Sequence, residues 1–229
     1  GGWEHVFEEL VSFPGLLAEP GFSLELNRML EHTPNPDLPF AGACERNREL
    51  ILAALLPRMP GRGIVLEIGS GTGQHVVFFA PRFPAVSFQP SDRLEHLPGV
   101  NARIRAEGGP NILPAIELDV RGVWPDRKFA AVYSANTAHI MHWQEVQALF
   151  DGVGRLLEPG GQLLLYGPFN YNGRYTSESN ARFDSWLKSR DPLSGVRDFE
   201  ALQRLAAKAG LLLIQDYAMP ANSRTLVWY

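Results

Sequence analysis

A short apolar segment followed by three alternating glycines is the feature that most constrains how this chain can fold. The segment reads Val65-Leu66-Glu67-Ile68 and continues as Gly69-Ser70-Gly71-Thr72-Gly73. Apolar runs of this length form buried parallel strands, and glycines adopt the positive φ angles that let a backbone approach a ligand closely. A helix that begins near Gln74 would point its amide-bearing end at that ligand. The pattern therefore predicts a strand, a tight turn and a helix around a nucleotide-like cofactor.

The spacing of the glycines distinguishes between cofactors. A dinucleotide fingerprint, G-x-G-x-x-G, requires a third glycine at position 74, which is Gln74 here. The observed G-x-G-x-G, with an acid two residues before it, resembles motif I of class I S-adenosylmethionine (SAM) methyltransferases. In that family the acid lies near the cofactor's ammonium group and the loop passes beneath its amino-acid moiety. Glycines also form ordinary tight turns, so the flanking apolar residues matter. The resemblance implies cofactor contacts for Glu67, Gly69, Ser70, Gly71 and Gly73.

Length and charge limit the class of protein and partner. The 229 residues suit one α/β domain with a sizeable core. With 21 basic and 25 acidic side chains, the formal charge of −4 gives no overall attraction to nucleic acid. The single Cys44 excludes an internal disulfide, which fits a reducing compartment. No apolar run reaches the roughly 18 residues that span a bilayer. We expect a cytoplasmic protein that binds neither membrane nor nucleic acid.

Strands and helices alternate along most of the chain. Hydrophobic periodicity and Pro/Gly stop signals predict helices at residues 45–56, 74–83, 96–107, 143–157 and 199–209. They predict strands at residues 64–68, 86–90, 112–118, 129–135 and 162–166. Two late strands, 211–214 and 225–229, follow each other without a helix and indicate an antiparallel hairpin. The expected fold is α/β: a Rossmann-like parallel sheet with a C-terminal antiparallel hairpin, as class I methyltransferases have.

The N-terminal part is predicted to be separate from this domain. Residues 3–30 have apolar positions suited to short helices, and residues 33–39 read as a proline-stiffened connector. We expect a helical extension or lid at residues 1–36 and a methyltransferase-like domain at residues 37–229. The alternative for the first segment is an extension without a fixed structure.

Acids follow two of the predicted strands at the edge where such sheets bind ligands. Asp92 lies about twenty residues beyond the glycine loop, where an acid usually accepts hydrogen bonds from ribose hydroxyls. At the end of the third strand stand Asp119 and Val120; in this superfamily such an acid contacts the adenine amino group while its neighbour packs on the ring. The alternatives are a surface acid for Asp92 and a turn cap for Asp119. Asn136, after the fourth strand, is a further candidate cofactor contact.

The segment after the fourth strand is a candidate for catalysis. It reads Asn136-Thr137-Ala138-His139, without the two prolines and the aromatic residue that amino-methylating nucleic-acid enzymes place there. This argues against a nucleobase acceptor. His139 can titrate near neutral pH and is the candidate general base. His142 would share a helix face with it, but two histidines without further ligands make a poor metal site, so no metal is predicted.

A polar and aromatic segment at residues 167–183 is predicted to bind the substrate. An arginine there can hold a carboxylate or phosphate through a bidentate contact, or can simply face solvent. An aromatic face there can support a positive sulfonium. The candidate substrate residues are Asn170, Tyr171, Arg174, Tyr175, Ser179, Asn180 and Arg182.

Several segments together resemble a domain-of-unknown-function family of small SAM-dependent methyltransferases, related to the human methyltransferase-like protein twenty-six. They are residues 44–47, 69–73, 89–92, 135–141, 166–171 and 177–180. The resemblance covers about residues 37–229 and implies a SAM fold without a settled substrate. It also implies that Arg46 and Asn47 can close over the cofactor's carboxylate, although a helix start favours such residues too.

These observations predict a transferase that uses SAM as its cofactor. The acceptor would be an O, N or S nucleophile of a small polar molecule, expected to be anionic. The alternative is a catalytically inactive SAM-binding sensor or scaffold, and a nicotinamide-dependent oxidoreductase ranks third. The sequence leaves the acceptor and the oligomeric state open.

Overall fold

A seven-stranded sheet organises residues 35–229, the part of the chain that the computed structural model describes. Strand order across this sheet is β3-β2-β1-β4-β5-β9-β8, and a separate pair joins β6 to β7. The strands are β1 (Gly63–Ile68), β2 (Val86–Asp92), β3 (Ile116–Glu117), β4 (Phe129–Ala135), β5 (Leu157–Gly167), β6 (Phe169–Asn170), β7 (Arg197–Asp198), β8 (Leu213–Met219) and β9 (Ser223–Trp228).

The first five strands are parallel, and the last two form an antiparallel hairpin on β5. Short connections place the hairpin at the edge, because its two strands need no crossover helix. The predicted Rossmann-like methyltransferase sheet with a C-terminal hairpin is confirmed. The predicted extension at residues 1–36 lies almost wholly outside the described residues.

Helices cover both faces of the sheet. They are α1 (Gly42–Leu55), α2 (Gln74–Phe79), α3 (Leu97–Glu107), α4 (Trp143–Leu156), α5 (Glu178–Arg190) and α6 (Phe199–Lys208), with 3-10 turns at Ala80–Arg82 and Leu94–His96. No helix among residues 35–229 is both long and apolar enough to cross a membrane.

Alternating side chains of the strands build two hydrophobic cores. In β1, Val65 packs with Phe79 of α2 in one core, and Leu66 packs with Phe150 of α4 in the other. Successive strand residues point to opposite faces, so a strand buried on both sides is apolar over most of its length. Burying each such side chain contributes about 1.5–3 kcal/mol, and the two cores fix the carboxyl edge of the sheet in place.

The third strand is shorter than predicted. Residues 112–118 were expected to be extended throughout, but only Ile116 and Glu117 pair with β2 as a ladder, and Ile112 makes an isolated bridge to Phe88. Pro114 has no backbone N–H to donate, so the ladder is interrupted there. The Gln89 side chain donates 2.7 Å to the Pro114 carbonyl instead.

Other elements also differ from the prediction, among them β8, which runs over Leu213–Met219 rather than residues 211–214. Strand β5 begins at Leu157 rather than at residue 162, because Gly160 (φ 80°) lets the chain bulge while it stays paired with β4. Helix α5 was not predicted, since its buried face includes the polar Asn180 and Asp184. Its start is capped by Ser177, whose Oγ accepts the Asn180 N–H at 3.1 Å.

Candidate functional site

A cavity of about 270 Å³ lies at the carboxyl edge of the sheet. This is where parallel α/β sheets bind ligands, because the loops that follow neighbouring strands meet there. The lining residues come from the segment before α1, the loops after β1 to β4, and the start of α4: Pro39, Phe40, Ile68, Gly69, Gly71, Thr72, Asp92, Arg93, Glu95, His96, Gly99, Leu118, Asp119, Val120, Ala135, Asn136, Thr137, Ile140, Met141 and Glu145.

The glycine loop forms the floor of this cavity. Gly69, Gly71 and Gly73 all have positive φ angles, between 55° and 75°. A Cβ atom on Gly69 would lie only 2.6 Å from Cγ2 of Thr137, so no larger residue fits. The backbone N–H groups of Gly69 and Ser70 donate to the Ser91 carbonyl at 3.0 Å. The loop is therefore hydrogen-bonded to β2, and its glycines adopt φ angles that other residues rarely adopt.

Asp92 links the glycine loop to the end of β2. One carboxylate oxygen accepts the Gly71 N–H at 2.7 Å, and the other accepts the Arg93 N–H at 2.7 Å. Each oxygen has a second lone pair that remains for a ligand hydroxyl. The predicted placement of this acid at the cavity is thus observed.

The far end of the cavity is an apolar slot. Leu118 and Val120, from the loop after β3, are buried, and Met141 packs against the core that contains them. Between them Asp119 lines the cavity, and its Oδ1 also accepts the Arg121 N–H at 2.9 Å. Two apolar walls with an acid at the rim suit a planar ring that carries a hydrogen-bond donor.

Asn136 follows β4 with a positive φ angle, which residues other than glycine seldom adopt and asparagine adopts more readily than most. Its φ is 58°, and its N–H donates 2.9 Å to the Tyr166 carbonyl. A non-glycine residue in the left-handed region costs about 1–2 kcal/mol and persists where the surroundings impose it. Since Asn136 also lines the cavity, this strain lies at the candidate site.

Glu67 and Ser70 lie beneath the loop rather than on the cavity wall. The Ser70 hydroxyl donates 2.6 Å to the Glu67 carboxylate, which is 2% exposed. Burial raises the pKa of Glu67 to about 7, against the lowering effect of the Ser70 hydrogen bond. Gly73 is likewise outside the lining residues and begins α2. Glu67, Ser70 and Gly73 were predicted to contact the cofactor, but in the structure they support the glycine loop and do not line the cavity.

Arg46 and Asn47 do not line the cavity either. Both belong to α1, where Asn47 Oδ1 lies 2.7 Å from Nε2 of the buried His75. The Tyr166 hydroxyl lies near this pair: burial raises its pKa, while hydrogen bonds from Ser223 and Asn47 and the charge of Arg46 lower it. The predicted contact with a cofactor carboxylate is not seen among the lining residues.

His139 is buried behind the cavity wall. His139 is only 5% exposed. Its ring packs edge-on against the Phe183 ring, with 5.2 Å between the ring centroids. Burial, with a smaller effect of the Arg197 charge, lowers the pKa of His139 to about 3. The imidazole is therefore neutral at neutral pH and a weak proton acceptor. Its predicted role as general base would require the ring to reach a ligand that it does not face here.

His142 has a different environment from His139. Its Nε2 lies 2.6 Å from Oδ2 of Asp191, and the residue caps α4. Among residues 35–229, no group of three or more His, Cys, Asp or Glu side chains is placed to hold a metal ion. The two histidines serve separate contacts.

The predicted substrate residues lie outside the cavity lining. Tyr171 donates its hydroxyl to Asp216 at 2.8 Å, and Tyr175 donates its own to Asp184 at 2.6 Å. Burial raises the pKa of the Tyr171 hydroxyl, as does its hydrogen bond to Asp216. Both tyrosines therefore stay protonated as donors near neutral pH.

Ser179 and Asn180, two further members of this set, contact the β8–β9 turn. Asn180 Nδ2 donates 3.0 Å to both Thr176 Oγ1 and the Asn222 carbonyl, and Ser179 accepts from Asn222 at 3.1 Å. Other predicted members are Asn170, whose Oδ1 is buried without a hydrogen-bond partner, the exposed Arg174, and Arg182, 3.7 Å from Glu178.

Sequence reasoning missed several residues of the cavity wall. Glu145 lines the cavity from the third position of α4, and its Oε2 accepts the His142 N–H at 2.6 Å. An acid three residues after a helix start is a recognisable capping pattern and could have pointed to it. Phe40 and Pro39 come from the connector before α1 and had no such signal. Carboxylates outnumber cations on the wall, which favours a cationic ligand.

Residues 38–229 match the family described as "Protein of unknown function (DUF938)". The chain belongs to the DUF938 family. The expected domain-of-unknown-function family is therefore confirmed, while the link to the human methyltransferase-like protein stays a prediction. The match begins within four residues of the first described position, so the DUF938 region and the sheet domain coincide.

Several solved structures with the same fold as this DUF938 protein are described as methyltransferases. An O-methyltransferase family protein from Burkholderia thailandensis is 16% identical, with a TM-score of 0.70, over 81% of this chain and 57% of that one. Human N-acetylserotonin methyltransferase, crystallised with SAM, is 15% identical, with a TM-score of 0.68, over 81% and 52%. A putative methyltransferase from Bacillus halodurans is 21% identical, with a TM-score of 0.59, over 72% and 71%.

These likenesses establish the fold of the DUF938 chain. The chain spans just over half the length of the first two relatives, so those proteins contain further sequence that it does not match.

Proposed function

We propose that this DUF938 protein binds SAM and transfers its methyl group to an O, N or S atom of a small polar molecule. One observation carries the proposal: a single cavity brings together the glycine loop, Asp92, Asp119 and an apolar slot. Each suits a different part of SAM. The structural relatives, which include one crystallised with SAM, support the same choice of cofactor.

The residues of the cavity suggest how SAM would lie. The adenine ring fits the slot between Val120 and Met141, with Asp119 at its amino group. The ribose hydroxyls would donate to Asp92, whose oxygens keep lone pairs for them. The amino-acid part would pass over Gly69 and Gly71, where the absence of side chains permits a close approach.

The size of the cavity supports an acceptor bound at its mouth. A volume of about 270 Å³ lies just below the usual range for ligand sites, so a nucleoside cofactor would leave little room for a second molecule. The side chain of Asn136, which follows β4 and lines the cavity, would supply a polar group next to the acceptor. We propose that the polar segment at residues 170–182 binds the acceptor there, with Arg174 or Arg182 meeting an anionic group.

Bound SAM would supply a methyl group activated by a positively charged sulfonium. The contribution of the chain is to hold the two reactants in line, which accounts for most of the rate that such an arrangement can give. The carboxylates of the wall, Asp92, Asp119 and Glu145 among them, attract the cationic cofactor more strongly than its neutral sulfide product. This difference favours exchange of product for fresh cofactor.

A proton acceptor is needed only for some acceptors. A thiolate attacks without assistance, whereas a hydroxyl must lose its proton. Because the buried His139 is a weak proton acceptor, we expect a methyl acceptor whose own pKa is low enough that it needs no base. The same burial is the observation that favours the second candidate function, a protein that binds SAM without turning it over.

Calorimetry with SAM, with its demethylated product S-adenosylhomocysteine (SAH) and with NAD tests the cofactor. We expect SAM and SAH to bind and NAD not to bind; tight binding of NAD alone would overturn the proposal. A metabolite screen by mass spectrometry then tests transfer, with a gain of one methyl group as the signal. Binding without product across anionic and thiol acceptors would favour the sensor. Small molecules in the cytoplasm are the first library, because the net charge disfavours nucleic acid.

A further inference from the structure

Two arginines, one buried and one partly buried, contact segments of the cavity wall without lining the cavity themselves. The first is Arg103 on α3, which is 5% exposed. Its Nε donates 2.9 Å to the Thr72 carbonyl, and its Nη2 donates 2.6 Å to the Pro39 carbonyl. Its side-chain stem also lies 3.5 Å from the position of a Cβ on Gly73. This one side chain therefore joins the glycine loop to the segment before α1.

The second arginine is Arg197 on β7. Its Nε donates 3.1 Å to the Ala138 carbonyl, and its Nη2 donates to the carbonyls of Met141 and Leu193. In the same region the Gly195 N–H donates 2.8 Å to the His139 carbonyl. The turn after β4, which carries one wall of the apolar slot, is thus tied to the chain segment before β7.

Both arginines donate hydrogen bonds to backbone carbonyls, which carry no full negative charge to balance a buried guanidinium. Burying a guanidinium is destabilising unless its donors are satisfied. Glu107 balances the charge of Arg103 at 2.7 Å. The planar fork of a guanidinium can bridge several carbonyls in a fixed geometry, which a lysine cannot do. Each fork spans segments that are far apart in sequence, so its effect is to fix their separation.

We propose that Arg103 and Arg197 are positioning residues, and that each one positions the wall that contacts a different part of the cofactor. Arg103 positions the glycine loop, and with it the amino-acid part of the ligand. Arg197 positions the Met141 wall, and with it the adenine ring. This inference rests on the proposed SAM site and adds to it a separate support for each half of the ligand.

The division predicts different losses for two ligands. Adenosine has the ring and ribose only, whereas SAH carries the amino-acid part as well. Removing the Arg197 fork should weaken both ligands about equally, because both use the slot. Removing the Arg103 fork should weaken SAH and leave adenosine close to its original affinity.

The test is calorimetry of the full chain with adenosine and with SAH. Methionine is unbranched and fills the space of the aliphatic stem of arginine without supplying its donors, so the variants are Arg103→Met and Arg197→Met. Arg58→Met is the matched control, because Arg58 donates to the Tyr217 hydroxyl and not to the cavity wall. We expect Arg197→Met to lower both affinities by about tenfold or more, and Arg103→Met to lower that of SAH alone by a similar factor. The control should change neither.

Lysine variants keep the test decisive if a methionine variant fails to fold. Arg103→Lys and Arg197→Lys retain the charge and part of the hydrogen bonding, and should show the same ligand pattern with smaller losses. Parallel losses for both ligands in both variants, or no loss in either, would overturn the division of roles. Wild-type protein that binds neither ligand would refute the SAM site itself and the inference with it, which is a distinguishable result.

Discussion

The side-chain amide of Gln74 donates a hydrogen bond of 2.6 Å to the Glu45 carboxylate. Its oxygen accepts from the Ala41 N–H at 2.6 Å and from the Thr72 hydroxyl at 2.8 Å. A dinucleotide-binding loop has glycine at this position for close packing of helix on strand. Here a residue that is 3% exposed fastens α1 and the segment before it to the glycine loop. Pro39 and Phe40 are thereby held over the cavity.

Replacing Gln74 should therefore loosen both the fold and the site. In Gln74→Ala the buried Ala41 N–H loses its acceptor, which costs about 1–3 kcal/mol in the free energy of unfolding. Affinity for SAH should fall as well, because the Phe40 wall is released. Denaturant unfolding and calorimetry measure the two effects. Gln147→Ala, at an exposed position of α4, is the control and should stay within about 0.5 kcal/mol of wild type.

The glycines of the loop should differ in their tolerance of alanine. Gly71 has open space around its Cβ position, so Gly71→Ala should cost only the strain of its φ of 55°, about 1–2 kcal/mol. Gly69→Ala adds a clash of 2.6 Å with Thr137 and should cost clearly more. Unfolding in urea ranks the two variants.

A double substitution isolates the clash. Thr137→Ser removes the methyl group and keeps the hydroxyl that lies 2.6 Å from the Ser134 hydroxyl. Stability lost in Gly69→Ala should be partly recovered in the Gly69→Ala/Thr137→Ser protein. Equal costs for Gly69→Ala and Gly71→Ala, with no recovery, would contradict the packing argument.

Local patterns explain how much of the fold could be predicted from the sequence. Strand β4 was expected at residues 129–135 and is found at Phe129–Ala135, because an apolar run between turn signals is a local property. Helix α5 was missed, since its position depends on distant partners. Asp184 accepts the Val196 N–H at 2.7 Å and the Lys188 ammonium at 2.6 Å. Such contacts leave no periodic trace in the sequence.

The residues of the candidate site likewise fall into those that local sequence patterns could predict and those that depend on distant contacts. Asp92, Asp119 and Asn136 could be placed at the cavity because each follows a strand, and strand ends of a parallel sheet meet at one edge. The burial of His139 could not be foreseen, since it depends on Phe183 of the unpredicted helix. The wall from Phe40 depends on Gln74 and Arg103, whose partners lie far away in sequence.

The two acids at strand ends should contribute most to cofactor affinity. Asp92→Asn keeps the shape of the side chain but removes a charged acceptor for ribose hydroxyls, and Asp119→Asn removes the one at the adenine slot. Hydrogen bonds to charged groups contribute about 1.5–3 kcal/mol, so each change should weaken SAH binding by about tenfold to a hundredfold. Asp126→Asn, at an exposed position, controls for net charge. Unchanged affinity in both site variants would place the cofactor elsewhere.

Buried titratable groups with opposite effects should set the stability of the ligand-free protein in mild acid. Burial lowers the pKa of His75 to about 4 and that of His139 to about 3, from 6.5. Their contribution to stability is therefore complete above pH 6.5 and is lost as the pH falls, because the unfolded chain takes up the protons. Burial raises the pKa of Glu67 from 4.5 to about 7. Its contribution is complete below pH 4.5 and is lost as the pH rises.

Between pH 4.5 and 6.5 the two histidines thus oppose Glu67, and the unfolded state binds a net excess of about one proton from these three groups. The free energy of unfolding should rise with pH there by roughly 1.4 kcal/mol per unit from this source. Glu67→Gln removes the opposing group, so the slope should approach twice that value. His139→Gln should flatten it instead. Denaturant unfolding across this range, with each variant compared to wild type, measures the difference in slope. A Glu67→Gln slope equal to that of wild type would show that Glu67 is already ionised beneath the loop.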